Sequence, residues 1–253
     1  SGNQNKLRMA AFNFKSYFLN YYKDFIVACI ILSFTWVLLY RLISPPITIQ
    51  MLTRSILDKG ELRYDYMSIG KISPYLQVCA MASEDQNLPF HSGLDLGAIR
   101  KAVEVNKKGK KVFGASTITQ QVAKNVFLFP QRSYFRKGLE FYFTLLIETF
   151  YPKEKILELY LNVAEMGTLI FGAEAAARTY YNKPASKLSL QESASIISIL
   201  PNPRKFNAKN PSGYIAGRQA EIKSLYFSLD GTHYLRELYV KSESSLYDFR
   251  KYK

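Results

Sequence analysis

Cysteine and histidine are nearly absent, with two of each in 253 residues. Cys29 lies in an apolar run and Cys79 in a stretch that reads as a core helix, so no disulfide between them is expected. His91 and His233, without any zinc-type spacing around them, exclude a histidine-rich metal site. Acids are scarce: 20 Asp+Glu stand against 34 Lys+Arg, for a net charge of +14. That surplus calls for an acidic partner, whether nucleic acid, an anionic membrane surface or a phosphorylated substrate. Neither a Walker loop nor a dinucleotide glycine fingerprint occurs, so no nucleotide cofactor is implied. Internal repeats and an alternating strand series are missing too, which leaves a mostly α protein. Apolar residues are plentiful, at 48% with 15% aromatic, too many for a disordered chain. The length suffices for one sizeable core with a membrane segment or small lobe besides.

Phe25 to Tyr40 is sixteen residues without a charge. Arg41 interrupts it, Leu42-Ile43 extend it, and Ser44-Pro45-Pro46 stop any helix. Residues 25–43 at ~1.5 Å rise give roughly 28 Å, enough to span a bilayer with Arg41 snorkelling. A buried core helix is the weaker reading, because the segment is apolar all round. A cleaved signal peptide is disfavoured, because Arg41 and the Pro pair stand where small residues should mark the cut. Lys6, Arg8, Lys15 and Lys23 precede the run, so the positive-inside rule puts residues 1–24 in the cytoplasm and everything after the span outside. That placement argues against a nucleic-acid partner.

Residues 44–72 read as a connector, with a short strand at 47–51 and a turn at Asp58-Lys59-Gly60. From Ser73 the pattern is helical. Pro74 starts a helix to about Glu84, and Asp95 caps one to Asn106, with Gly109 breaking the chain beyond it. The capping box Thr117-Ile118-Thr119-Gln120 heads a helix to about Val126. Ser133 caps a helix to Phe150, Pro152 opens one through Leu161, Ser189 to Glu192 box another to Leu200, and Pro211 starts the last. The main domain is set at 73–230, with 231–253 as a C-terminal tail; the helical signal fades from Glu221.

Three polar runs carry the chemistry. The first holds Glu84, Asp85, His91, Gly93 and Asp95 between apolar flanks; the second runs from Gly114 to Asn125; the third runs from Arg132 to Glu140. They read as walls of one cleft. Glu84, with an apolar stretch before it and a polar turn after it, suits a general base, and a cap or a structural ion pair equally. His91, Gly93 and Asp95 fit structural roles better: a packed ring, backbone freedom and a helix cap. Arg132, Arg136 and Glu140 are spaced i, i+4, i+8, with Lys124 and Lys137 nearby. A cationic stripe ending in a carboxylate suits a diphosphate with a divalent ion, cations on the phosphates and Glu140 on the metal.

These motifs, Glu84-Asp85-x-x-x-x-x-His91-x-Gly93-x-Asp95, Gly114-x-Ser116-Thr117-Ile118-Thr119-Gln120-Gln121-x-x-Lys124-Asn125 and Arg136-Lys137-x-x-Glu140, resemble three ordered motifs of the family 51 peptidoglycan glycosyltransferases. A fourth, Lys153-x-x-Ile156-Leu157-Glu158-x-Tyr160-Leu161-Asn162, and a fifth, Gly172-Ala173-Glu174-Ala175-Ala176-Ala177 with Tyr180-Tyr181, follow at family spacing. The likeness covers about residues 70 to 210 and departs from the family at Leu88 and Ala115. No stretch resembling a penicillin-binding transpeptidase domain follows, so the likeness is to the monofunctional biosynthetic members.

The resemblance implies a lysozyme-like helical lobe with a small membrane-facing lobe, preceded by one transmembrane helix of the inner membrane. It implies polymerisation of lipid II into β-1,4-linked glycan with inversion and loss of undecaprenyl diphosphate. Glu84 would be the general base, Lys124 and Arg132 would hold the donor diphosphate, and Glu140 would be a second essential glutamate near the diphosphate and its Mg or Mn ion. Ser116, Thr117, Gln120, Gln121, Asn125, Arg136 and Lys137 complete the implied substrate-binding set. The implied partners are lipid II, the growing strand, membrane lipids and other wall-synthesis and division proteins. Two rivals remain: a lysozyme-like lytic enzyme, and a non-catalytic membrane-anchored module that binds the wall. Lastly, Phe127, Leu128, Phe129 and Phe135 are expected in an exposed patch that dips into the outer leaflet, with Phe141 and Phe143 in the core.

Overall fold

A computed structural model describes residues 2–107, 116–131 and 133–243, and gives the backbone alone for 2–19, 106 and 241–243. Gly109, Gly114, Ala115 and Arg132 lie outside the described residues. The chain divides into residues 1–43 and 44–253. The first unit is one helix, α1 (Gly2–Leu42). Its stretch Asn20–Leu42 is long and apolar enough to cross a membrane. Ser33 and Thr35 donate their hydroxyls to the carbonyls of Ile30 and Ile31, which satisfies those two hydroxyls within that stretch.

The second unit opens with α2 (Ile49–Asp58), where a strand is expected at 47–51. The β-branched run Ile47-Thr48-Ile49 favours a strand, but Thr48 acts as an N-cap and accepts from the Met51 amide at 3.2 Å. Met51 is fully buried, whereas Leu52, Ile56 and Leu57 stay exposed. Lys59 closes the helix in the left-handed conformation, which makes the turn foreseen at Asp58-Lys59-Gly60. Beyond it, β1 (Arg63–Tyr64) pairs in parallel with β3 (Ile170–Phe171), and β2 (Glu165–Gly167) pairs antiparallel with β3 through a bulge. Residues 44–72 thus belong to the compact unit.

The centre of that unit is α3 (Pro74–Glu84), in which every residue from Leu76 to Ala82 is buried. A helix apolar all round must be enclosed, and each buried Leu, Val or Met contributes ~1.5–3 kcal/mol. The one amide in this run, Gln77, donates to the carbonyls of Ile69 and Ile72. Next come α4 (Leu96–Lys107), α5 (Ile118–Phe127), α6 (Tyr134–Phe150) and α7 (Lys153–Val163). After the small sheet follow α8 (Ala173–Tyr181), α9 (Leu190–Ser198) and α10 (Gly213–Ser228). The boxes at Thr117 and Ser189 and the cap at Ser133 all form as their sequences imply. α9 and α10 pack on α3, while α5 packs between α6 and α7.

Two expectations give way at the C-terminal end. Helix α10 runs on to Ser228, past Glu221, and the segment read as tail folds into a 3-10 turn (Gly231–Tyr234) and α11 (Leu235–Glu243). Leu235 and Leu238, at i and i+3, are buried and dock α11 on α7. Two apolar anchors in a nine-residue helix give too weak a period to be read from sequence.

Candidate active site

The first motif builds a clasp around the catalytic candidate. α3 ends at Glu84, and Asp85 turns the chain away with its side chain buried. Gly93 N–H donates to His91 Nδ1, which leaves His91 Nε2–H to donate to the Asp85 carboxylate at 2.9 Å. The same carboxylate accepts from the Ile118 amide at 2.9 Å, at the start of α5. Thr117 Oγ1 donates to the Gly93 carbonyl at 2.7 Å, a second tie between the first two motifs. Asp95 caps α4 by accepting from Ala98 N–H and also takes a bond from Asn87; that backbone bond, with the Asn87 bond next, holds its carboxyl below the usual range. Gly93 has φ +89, and a Cβ there would lie 2.6 Å from Thr144 Cγ2. Gly93→Ala should therefore destabilise the unit by roughly 1–3 kcal/mol, readable as a lowered urea midpoint.

The fourth and fifth motifs are clasps as well. Glu158 accepts from the Tyr66 hydroxyl and the Ile69 amide, and the Asn162 amide group bonds both the N–H and the carbonyl of Met67. Lys153 reaches the His91 carbonyl and Glu148. Glu174 accepts from the Ala185 amide and pairs with Arg178.

What remains of the polar motifs faces three adjoining cavities. One, of about 390 Å³, has four cations in its wall, Arg54, Lys124, Arg136 and Lys137, with the single acid Glu140. Gln50, Gln120, Gln121 and Ser116 add amides and a hydroxyl. A second, of about 280 Å³, shares Gln50, Gln121 and Lys124 with the first and adds Glu84, Asn125, Tyr160 and Glu165. A third, of about 430 Å³, shares Glu84 with the second and is otherwise lined by α3, α4 and the turn between them. Glu84 thus stands between the second cavity, whose one cation Lys124 is shared with the cation-rich first, and the third, whose one cation is Lys101.

Glu84 is half-buried and accepts from Ser83 Oγ at 3.1 Å and from Gln121 Nε2 at 3.0 Å. Both donors aim the carboxylate without neutralising it. Burial pulls the Lys124 ammonium below the ordinary lysine range; Glu140 opposes this most, Arg136 and Lys137 add to it, and Glu84 opposes it weakly. Lys124 therefore sits in a largely desolvated position among these four charges, where an arriving anion is not screened by water. Glu140 is 4% exposed and paired with Lys137, with Arg136 Nη1 at 3.9 Å. Tyr160 has its phenol pushed up by burial, then by Glu84 and Asp85, so it is a neutral hydroxyl on the wall of the second cavity.

Most of the site residues expected from sequence meet here, with three adjustments. Thr117 lines none of these cavities; its hydroxyl is committed to the capping box and to Gly93, so it positions α5 rather than touching a ligand. Arg132 is outside the described residues. Glu140 does not fit a metal ligand: cations face its carboxylate, and no group of three His, Cys, Asp or Glu suited to a metal occurs among the described residues. Gln50, Arg54 and Glu165 went unforeseen, and the signal for the first two was the Thr48 cap of α2.

A mostly α unit with a carboxylate beside a cationic cleft suits a glycosyl-transferring enzyme. The chain matches the transglycosylase family over residues 51–225. It is 47% identical over 206 residues to the biosynthetic peptidoglycan transglycosylase of Xanthomonas campestris pv. campestris strain B100, covering 79% of this chain and 84% of that protein. It is 45% identical over 226 residues to the protein of that description from Pseudomonas fluorescens SBW25, covering 87% and 92%. For the Bdellovibrio bacteriovorus protein the figures are 44% over 209 residues, 79% and 84%. The chain belongs to the transglycosylase family and is a peptidoglycan glycosyltransferase.

Proposed function

We propose that this enzyme polymerises lipid II into β-1,4-linked glycan strands with inversion, and that Glu84 is the general base. The observation that carries the reading is the position of Glu84 on a cavity that shares Lys124, Gln121 and Gln50 with the adjoining cation-rich one. A diphosphate leaving from C1 departs with its negative charge already matched by Lys124, Arg136 and Lys137, so no acid need protonate it. The attacking 4-hydroxyl must lose a proton, and a carboxylate aimed by Gln121 can accept it. One direct displacement at C1 inverts that carbon. A lytic enzyme would instead need a carboxylic acid on the glycosidic oxygen, and the cationic cavity would serve no step. The Mg or Mn ion implied by the resemblance finds no set of three protein ligands among the described residues. Cations before the apolar stretch of α1 favour a cytoplasmic N-terminus and a periplasmic catalytic unit. The test is incubation with labelled lipid II: polymer should form, and purified cell wall should not be cleared. Clearing without polymer would establish the lytic reading.

Lys124→Ala should weaken use of the diphospho-lipid donor by ~1.5–3 kcal/mol, the range for a charge-assisted hydrogen bond. Because burial lowers its pKa, Lys124 sheds its proton at a lower pH than an exposed lysine. Donor affinity should then fall on the alkaline side, and Lys124→Arg should hold it to higher pH. Equal losses with phosphorylated and unphosphorylated ligands would make Lys124 structural.

A further inference from the structure

We propose that Arg54 is a further substrate-binding residue, completing the cationic cavity and taking phosphate oxygens of the donor. This rests on the reading of that cavity as the diphosphate site. Arg54 lies in the middle of α2 and lines the same space as Lys124, Arg136 and Lys137. Its one polar contact among the described residues is an ion pair, Nε to Glu165 Oε2 at 3.6 Å, too long for a hydrogen bond. Arg54 Nε is buried and has no hydrogen-bond partner among the described residues, and Arg136 Nε in the same cavity is in the same condition. Two guanidinium groups, each with a buried, unsatisfied Nε, beside two lysines suit a ligand with many anionic oxygens.

The alternative is that Arg54 only neutralises Glu165. A guanidinium placed for that purpose would bond the carboxylate through two N–H groups. Here the contact is loose, and Glu165 Oε1 is itself buried and unpartnered. Burial pushes the Glu165 carboxyl up against the opposing pull of Arg54 and Arg204, so the pairing is incomplete. The backbone beneath Arg54 is meanwhile held from elsewhere. Thr48 caps α2, Met51 anchors it in the core, and Asp58 bonds Arg204 at 2.6 Å. The residue is thus presented to the cavity by a fixed helix, and its donors are left for a ligand.

The test titrates the full chain, in detergent, with inorganic diphosphate followed by phosphorus NMR, alongside lipid II kinetics. Arg54→Ala should weaken diphosphate binding about tenfold and raise KM for lipid II more than it lowers kcat. Arg54→Lys, a point charge without the fork, should fall between. The double variant Arg54→Ala with Glu165→Gln leaves no orphan carboxylate, and should melt like the parent yet bind diphosphate as weakly as Arg54→Ala. Lys124→Ala separates the two readings. If it binds diphosphate like the parent, the cavity is not the diphosphate site. If it loses binding while Arg54→Ala and the double variant do not, the cavity stands and Arg54 is only a partner of Glu165.

Discussion

Glu84→Gln is expected to abolish strand polymerisation while leaving the fold and diphosphate binding nearly intact. The amide keeps the shape of the side chain but cannot accept the acceptor's proton. A general base contributes ~10²–10⁴-fold, and the loss falls in kcat. The geometry makes this a clean substitution. Among the described residues Glu84 has no ion-pair partner within 4 Å, so removing its charge strands no buried cation there. Ser83 and Gln121 are its hydrogen-bond donors, and an amide oxygen can still accept from either. The melting temperature should move little, and diphosphate titration should match the parent, because the cations belong to other walls. Polymer formation is read by gel from labelled lipid II. Retention of more than about a tenth of the rate would remove Glu84 from the role of base.

Asp85→Asn offers a useful contrast one residue on. Asp85 is buried and takes bonds from His91 and from the Ile118 amide. It belongs to the clasp that fixes the start of α5, and through α5 the positions of Gln121 and Lys124. If Glu84 is the base proposed, the two adjacent acids of the first motif work in different ways, one toward substrate and one toward structure. That division was partly legible in sequence. Glu84, Gln121 and Lys124 could be placed in one cleft because their helices announce themselves locally. Pro74 at a helix start, the Thr117–Gln120 box and the Ser133 cap each act within four residues, so short-range chemistry sets them. What could not be read were elements fixed by distant contacts. In α2 a β-branched start outweighed the single cap at Thr48, which concealed Gln50 and Arg54 on the cleft wall. In α11 two leucines are buried only because α7 lies beneath them.

The apolar bridge between the second and third motifs shows the same limit and leads to the last expected result. Sequence alone puts Phe127, Leu128, Phe129 and Phe135 in one exposed patch, and the structure divides them. Phe127 and Leu128 are 3% and 4% exposed, whereas Phe129 and Phe135 are 66% and 77% exposed. Phe127 lies at the last turn of α5 and stacks on Phe143 of α6, with ring centroids 4.9 Å apart and planes within 6°. Phe141, expected in the core, is instead 45% exposed. A run of consecutive apolar residues carries no period, so which rings turn inward depends on where α6 packs. Phe127→Ala should cost ~3–5 kcal/mol, a large share of the ~5–15 kcal/mol typical of a domain, and should lower the urea midpoint accordingly. Phe129→Ser with Phe135→Ser should change stability by no more than about 0.5 kcal/mol, since those rings are exposed. We propose that these two, beside Tyr134 at 99% exposure, rest in the outer leaflet, with Arg136 and Lys137 toward anionic headgroups. Residues 44–253, a compact unit by themselves, should then sediment with anionic liposomes, and the Phe129→Ser, Phe135→Ser pair should reduce that without unfolding. If the pair sediments like the parent, the rings do not contact lipid, and α1 alone keeps the catalytic unit at the membrane.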